Sequence, residues 1–266
     1  MNVSISLQPA LSTAAPGDKS AHPRETARAP ESASVDALEA EFDKFADAYS
    51  AQHAENLAIT GERPEYFARA KAKALRDAVT RFGLAEPATL LDFGSGVGAS
   101  LPFLREEFPG AGIAAFDVSR RSLEHARERF GDIAEYICAK SLDALHGRRF
   151  DVIYAACVFH HIPPDLRDGI FAQLRDLLAP GGMMIVFEHN PLNPVTRRIV
   201  RNCPFDENAS LVRAGTLAAQ QRRAGFADVR VRYTGFFPHA LRALRPLEAS
   251  LRFLPIGAQF FTTARG

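Results

Sequence analysis

Leu90-Leu91-Asp92-Phe93-Gly94-Ser95-Gly96-Val97-Gly98 runs from an apolar strand, through an acid, into glycines at every second position. Glycines so spaced let the chain turn tightly and let backbone N–H groups approach a ligand with no Cβ in the way. Ser100 to Phe108 carries helical spacing, so the loop opens onto a helix N-terminus, an end that attracts anions. Strand, glycine loop and helix together read as a nucleotide-cofactor site in an open α/β sheet.

Two cofactors compete for that loop, because Gly94-x-Gly96-x-x-Ala99 also satisfies the loose dinucleotide fingerprint. Asp92 separates them. A dinucleotide sets a doubly charged pyrophosphate against the loop, and a carboxylate just before it raises the electrostatic cost. S-adenosylmethionine carries no phosphate; its ammonium and sulfonium suit nearby acids, and its carboxylate suits the N–H groups. The acid favours the methyl donor.

Three further landmarks follow in order. Ile113-Ala114-Ala115-Phe116-Asp117 is a short apolar strand ending in an acid able to accept hydrogen bonds from both ribose hydroxyls, a test that either cofactor passes. Phe150 to Val158 is a buried strand leading into Phe159-His160-His161-Ile162-Pro163. Leu178-Ala179-Pro180-Gly181-Gly182-Met183 to Glu188 reads as a helix end, a Pro-Gly-Gly turn and another strand.

In this order and spacing, the four landmarks resemble the class I S-adenosylmethionine-dependent methyltransferases, over roughly residues 40 to 264. The resemblance implies a Rossmann-like α/β fold: a seven-stranded, mostly parallel sheet with an antiparallel last strand (Ala258 to Ala264), helices on both faces and an N-terminal helical lid. It carries donor binding onto Asp92, Gly94, Ser95, Gly96 and Gly98, ribose binding onto Asp117 with Val118 beside it, and donor contact onto Ala156 and the lid residue Tyr49. One departure follows the third strand. Where many members place an acid near the adenine amino group, this chain has Lys140 and Ser141, with Asp143 slightly late, so backbone groups near Ser141 and Leu142 are the expected replacement.

Composition agrees with one α/β domain and an appendage: 266 residues, 47% of them hydrophobic. A net charge of +1 argues against nucleic acid as a partner. Cys138, Cys157 and Cys203 show no C-x-x-C spacing and read as reduced thiols of a cytoplasmic protein, with no metal site expected. No apolar run reaches the roughly 18 residues of a transmembrane segment, and no secretory h-region opens the chain. Residues 1–34, rich in Ala, Ser and Pro, read as a disordered tail. Residues 35–83 read as the lid, with Phe42, Phe45, Tyr49 and His53 as candidate ligand contacts and Pro64 opening its second helix. Residues 84–266 form the core, with insertions near 189–212 and 238–256.

The acceptor side rests on less. His189-Asn190-Pro191-Leu192-Asn193-Pro194 is dense in turn formers at the carboxyl end of a central strand, where open sheets bind ligands. Thr196 to Arg201 reads as a short basic helix, whose Arg197 or Arg201 would pair with an anionic acceptor or simply face solvent. In the second insertion, Leu241, Leu244, Leu247, Leu251 and Leu254 alternate with arginines around Pro246. That stripe is expected to pack against the domain; the alternative is contact with a lipid or long-chain substrate.

Methyl transfer to a hydroxyl or protonated amine requires loss of a proton, a task suited to histidine. His161 and His189 are the candidate catalytic residues. His160, Glu188, Asn190 and Arg197 are the candidate acceptor contacts, with Glu188 as a charge partner. The expectation is therefore a methyltransferase acting on oxygen or nitrogen of a small-molecule acceptor, anionic or lipid-like, the chain alone or as a homo-oligomer. Its rivals are an NAD-dependent oxidoreductase and a noncatalytic methyltransferase-like binding subunit, which would bind donor without turnover.

Overall fold

The computed structural model describes residues 61–266 together with Asp36, Glu39, Ala40 and Asp43. The expected tail 1–34, most of the expected lid, and Phe42, Phe45, Tyr49 and His53 lie outside the described residues.

Helix α1, Pro64–Phe82, begins with a proline whose missing N–H would have had no partner there and ends at Gly83, whose φ of 65° closes the last turn. Its inward residues Ala72, Leu75 and Val79 pack on one face of the sheet. The remaining order is β1 Thr89–Phe93, α2 Leu101–Glu107, β2 Gly112–Asp117, α3 Arg120–Phe130, β3 Glu135–Cys138, β4 Phe150–Ala156, α4 Arg167–Asp176, β5 Leu178–His189, α5 Pro194–Arg201, α6 Ala214–Arg223, β6 Ala227–Thr234, α7 Glu248–Leu251 and β7 Gln259–Arg265.

The seven strands lie in the order β3-β2-β1-β4-β5-β7-β6. β1 to β5 pair in parallel, and β7 runs antiparallel to both β5 and β6. Central strands of such a sheet are covered on both faces, which is why β1, β4 and β5 are apolar almost throughout. Successive residues divide between the faces: Leu91, Ile153 and Met184 pack with Phe159, Phe171 and Phe260, while Leu90, Val152 and Met183 pack with Leu75, Leu104 and Phe187. The chain reverses its direction of travel across the sheet between β1 and β4, and their carboxyl ends flank the crevice where such folds hold ligands.

Two local expectations are corrected. Pro180-Gly181-Gly182 does not form a turn ahead of the strand; it lies inside β5, as an irregularity in the pairing with β4 between Phe150 and Val152. Gly181 takes a φ of 78°, and a Cβ on Gly182 would stand 2.9 Å from the carbonyl oxygens of Ala179 and Asp151, so no side chain fits. The leucine stripe of the second insertion does not pack inward either: Leu241, Leu244 and Leu247 are 48%, 41% and 55% exposed. The segment forms a 3-10 turn, His239–Leu247, kinked at Leu241 and carrying Pro246 within it, and polar groups dock it instead. Arg245 pairs with Glu62 and lies 4.3 Å over the Tyr66 ring, while Glu248 accepts from the backbone N–H groups of Gly235, Phe236 and Phe237. Among the described residues, no helix is long and apolar enough to cross a membrane.

Candidate active site

The carboxyl ends of β1 and β2 build one half of the site. Gly94, Gly96 and Gly98 have φ values of 72°, 51° and 71°, a region L side chains rarely adopt. Space adds a second constraint at Gly94, where a Cβ would stand 2.5 Å from a methyl of Val158; at Gly96 nothing among the described residues lies within 4 Å of a Cβ. Asp117 latches this loop to β2, its two oxygens accepting from the N–H groups of Gly96 and Ser119, each at 2.8 Å. Its oxygens retain lone pairs for further donors.

Asp92 is 2% exposed, and its Oδ2, like the Ser95 hydroxyl oxygen, has no hydrogen-bond partner among the described residues. Burial, and after it the neighbouring Asp117 charge, pushes the Asp92 carboxyl up to about 8. A buried acid beside a second acid calls for a cation. The ammonium and sulfonium of S-adenosylmethionine supply one, and a pyrophosphate does not. These residues therefore fit the methyl donor.

Around the donor loop, Val118 and Ala156 are half-buried beyond the ends of β2 and β4. Ser141 caps the short 3-10 turn Leu142–Leu145 by accepting from the Asp143 N–H at 3.1 Å, and Leu142 is buried behind it. Lys140, in the place where an acid was sought, pairs with Asp36 and Glu39 at 2.6 Å each. Ser119 Oγ donates to Asp43 at 2.6 Å. These helical positions, 36, 39 and 43, thus lie against the ends of β2 and β3.

The other half of the site lies beyond β4 and β5. His160 is 1% exposed, with Nδ1 at 2.5 Å from Glu188 and Nε2 at 3.3 Å from Asp206; the second oxygen of Glu188 accepts from the Phe159 N–H at 2.7 Å. Burial opposes charge on His160, but the two carboxylates prevail and raise it to about 10. His160 in turn holds Glu188 below the usual carboxylate range, and Asp206 well below it. His161, its Nε2 at 3.5 Å from Asp206, goes the other way: burial and the charge on His160 lower it to about 3, so it is neutral. His189 is raised, because the Cys157 sulfur beside it outweighs its desolvation.

Two candidates occupy different roles in the fold. Asn190 is buried and its amide is committed to backbone: Nδ2 donates to Pro255 and Gly257 carbonyls at 3.0 and 2.8 Å, and Oδ1 accepts from the Leu192 N–H at 3.1 Å. It ties the loop after β5 to the segment before β7. Arg197 is exposed on α5, on the wall of an open cavity of about 580 Å³ that Arg201, Cys203, Asp206 and Leu211 also line. Asp206 joins this cavity to the histidine pair.

Three members of the site carried no signal in the sequence reading. Cys157 reads there as an ordinary thiol, and Asp206 and Lys71 are not singled out. The structure brings Lys71 Nζ to 3.3 Å from the Cys157 sulfur.

A family model described as a methyltransferase domain matches residues 91–184. The chain is 27% identical over 163 residues to the trans-aconitate 2-methyltransferase of an Azoarcus species and 28% identical over 163 residues to that of Methylobacterium nodulans. Both alignments cover 61% of this chain, and 63% and 62% of those proteins, so the match spans somewhat under two thirds of their length. Among solved structures, an S-adenosylmethionine-dependent methyltransferase from Thermotoga maritima superposes with a TM-score of 0.57 at 19% identity, covering 86% of this chain and 99% of that one. The DhpI complex with S-adenosylhomocysteine gives 0.58 at 15% identity, covering 87% and 96%. These two share the fold.

Proposed function

We propose that this chain, a member of the class I S-adenosylmethionine-dependent methyltransferases, transfers a methyl group to an oxygen or nitrogen of a small anionic metabolite. The observation that carries the proposal is the glycine loop flanked by two buried acids, one of them without a partner. When bound, the donor supplies a methyl carbon already activated by the sulfonium, so the protein's work is alignment.

In this reading Asp92 takes the donor's ammonium, Asp117 takes the ribose hydroxyls while still latching the loop, and the Ser141–Leu142 backbone meets the adenine. The acceptor lies toward the histidines. His160 carries positive charge there, His189 is shifted in the same direction, and with Arg197 and Arg201 at the cavity they favour a carboxylate-bearing acceptor. The trans-aconitate named for the curated relatives is of that chemistry. His161, neutral, orients the acceptor through a hydrogen bond. An amphiphilic acceptor is a second reading, favoured by the exposed Leu241, Leu244 and Leu247.

Calorimetry with S-adenosylmethionine, S-adenosylhomocysteine and NAD tests the donor: the first two should bind and NAD should not. Binding of NAD alone sinks the assignment. Mass spectrometry for a one-methyl gain, across a panel of polycarboxylates, their hydroxy and amino derivatives, and acyl-chain acids, then separates the two acceptor readings. Donor binding with no gain on any acceptor would instead favour a noncatalytic subunit.

A further inference from the structure

We infer that Cys157 is the proton acceptor of this reaction: its sulfur, held by two N–H donors at the end of β4, takes the proton that the acceptor's hydroxyl or amine gives up. The inference rests on the methyltransferase reading above, with an acceptor that presents a hydroxyl or amine beside its carboxylate, since a carboxylate oxygen has no proton to give up.

Position comes first. Cys157 directly follows β4 and has a φ of 61°, a left-handed conformation that costs a non-glycine residue energy and is found where local geometry serves a site. Its N–H still donates to the Phe187 carbonyl at 2.8 Å, so the strained turn is pinned to β5. The next side chain, Val158, fills the space a Cβ on Gly94 would need, which sets the turn against the donor loop.

The surroundings of the sulfur come second. Lys71 Nζ from α1 donates at 3.3 Å and Gln259 Nε2 from β7 stands at 3.7 Å, while the His189 imidazole from β5 acts electrostatically on the same sulfur. Two donors and an imidazole directed at one sulfur call for an anion. The other charged or titratable groups acting on it or held by it are Glu188, His160 and the buried Tyr154 hydroxyl, and the Glu188 charge is already matched by His160. Burial raises the thiol, but Lys71 and His189 overcome it, lowering Cys157 from 9.0 to about 6.

The other candidate bases are spent. His160 already holds a proton at neutral pH, His189 is shifted up by the Cys157 sulfur beside it, His161 binds a proton too weakly, and Glu188 and Asp206 serve His160. In the step itself, the acceptor's X–H bond breaks and its electron pair forms the bond to the methyl carbon. The sulfonium–methyl bond breaks with its pair passing to the donor's sulfur, and the proton passes to Cys157 Sγ, giving the neutral thiol.

The test uses the full chain. Alkylation by iodoacetamide is followed against pH, with Cys157 resolved from Cys138 and Cys203 by peptide mass. A midpoint of about 6 is expected for Cys157, moving upward in Lys71→Met and His189→Gln, with slower alkylation when S-adenosylhomocysteine is bound. In turnover, Cys157→Ser should lower kcat by about 10²- to 10⁴-fold and flatten its rise with pH through about 6, with donor affinity and acceptor KM within about threefold. An ordinary thiol midpoint overturns the proposal, as does a low midpoint with wild-type kcat in Cys157→Ser. A wild-type chain that binds donor, alkylates with a midpoint of about 6 and methylates no acceptor overturns the methyl-transfer reading and, with it, the base role; the thiolate alone would stand.

Discussion

Asp92 shows how one residue can report what a site binds. Its folded carboxyl sits at about 8 against an ordinary 3.8, so the folded protein holds this proton more tightly than the unfolded chain does. The contribution to stability is therefore full below 3.8 and is lost as pH rises toward about 8. A bound ammonium reverses the preference, and donor binding at pH 7 should release a proton, measurable by calorimetry in buffers of different ionisation heat. Asp92→Asn should abolish that release, raise the Tm of the ligand-free protein at pH 7.5 and weaken the donor. At Asp117, replacement by Ala removes the ribose acceptor and the Gly96 latch together. Donor affinity should fall by about 1.5–3 kcal/mol by calorimetry; an unchanged Kd would move the ribose elsewhere.

At the scale of elements, the loop after β5 and helix α5 divide a task that their sequence reading assigns to both alike. Asn190 spans from β5 to the Pro255–Gly257 segment, and Asn193 caps α5 through the Thr196 N–H while also donating to Ile256. Asn190→Ala removes the donor to the Pro255 carbonyl and strands the buried Gly257 carbonyl, so it should cost about 2 kcal/mol, seen as a lower Tm. Arg197 makes no such brace. Arg197→Ala should leave Tm within a degree or so and raise the KM of an anionic acceptor about tenfold, with kcat kept. Equal loss of stability in both would make α5 a structural strut.

Across the whole molecule, the Glu188–His160–Asp206 chain joins three segments that meet only in the folded state: the end of β5, the turn after β4 and the loop after α5. The Ser210 N–H donates to the His160 carbonyl at 2.7 Å, and Arg167 holds the Ser210 and Ile162 carbonyls, so the same place is tied by backbone as well. Replacing His160 with Phe removes the counter-charge of the buried Glu188 and the half-buried Asp206 and should cost about 3–5 kcal/mol in denaturant unfolding. In the wild type, the contribution of His160 is full below its ordinary 6.5 and lost as pH rises through about 10. Stability should therefore fall on the alkaline side more steeply than in His160→Phe.

The sequence alone determined the sheet, the glycine loop and the acids at the ends of β1 and β2, because each is written in neighbouring residues. Apolar runs set strands, glycines at fixed offsets set the turn, and an acid ends its own strand. The Pro-Gly-Gly stretch misled, since only its pairing partner on β4 makes it a bulge rather than a turn. The leucine stripe misled because periodicity counts apolar residues and cannot weigh Arg245 and Glu248, whose partners lie on other elements. Only the tertiary structure decided the chemistry on the acceptor side. Lys71 and Gln259 reach Cys157 across 86 and 102 residues, and Asp206 reaches His160 across 46. Which histidine is raised and which lowered, and why the Cys157 thiol is shifted down, depends on charges that strand order β1-β4-β5-β7 brings near one another, and no local pattern encodes that proximity.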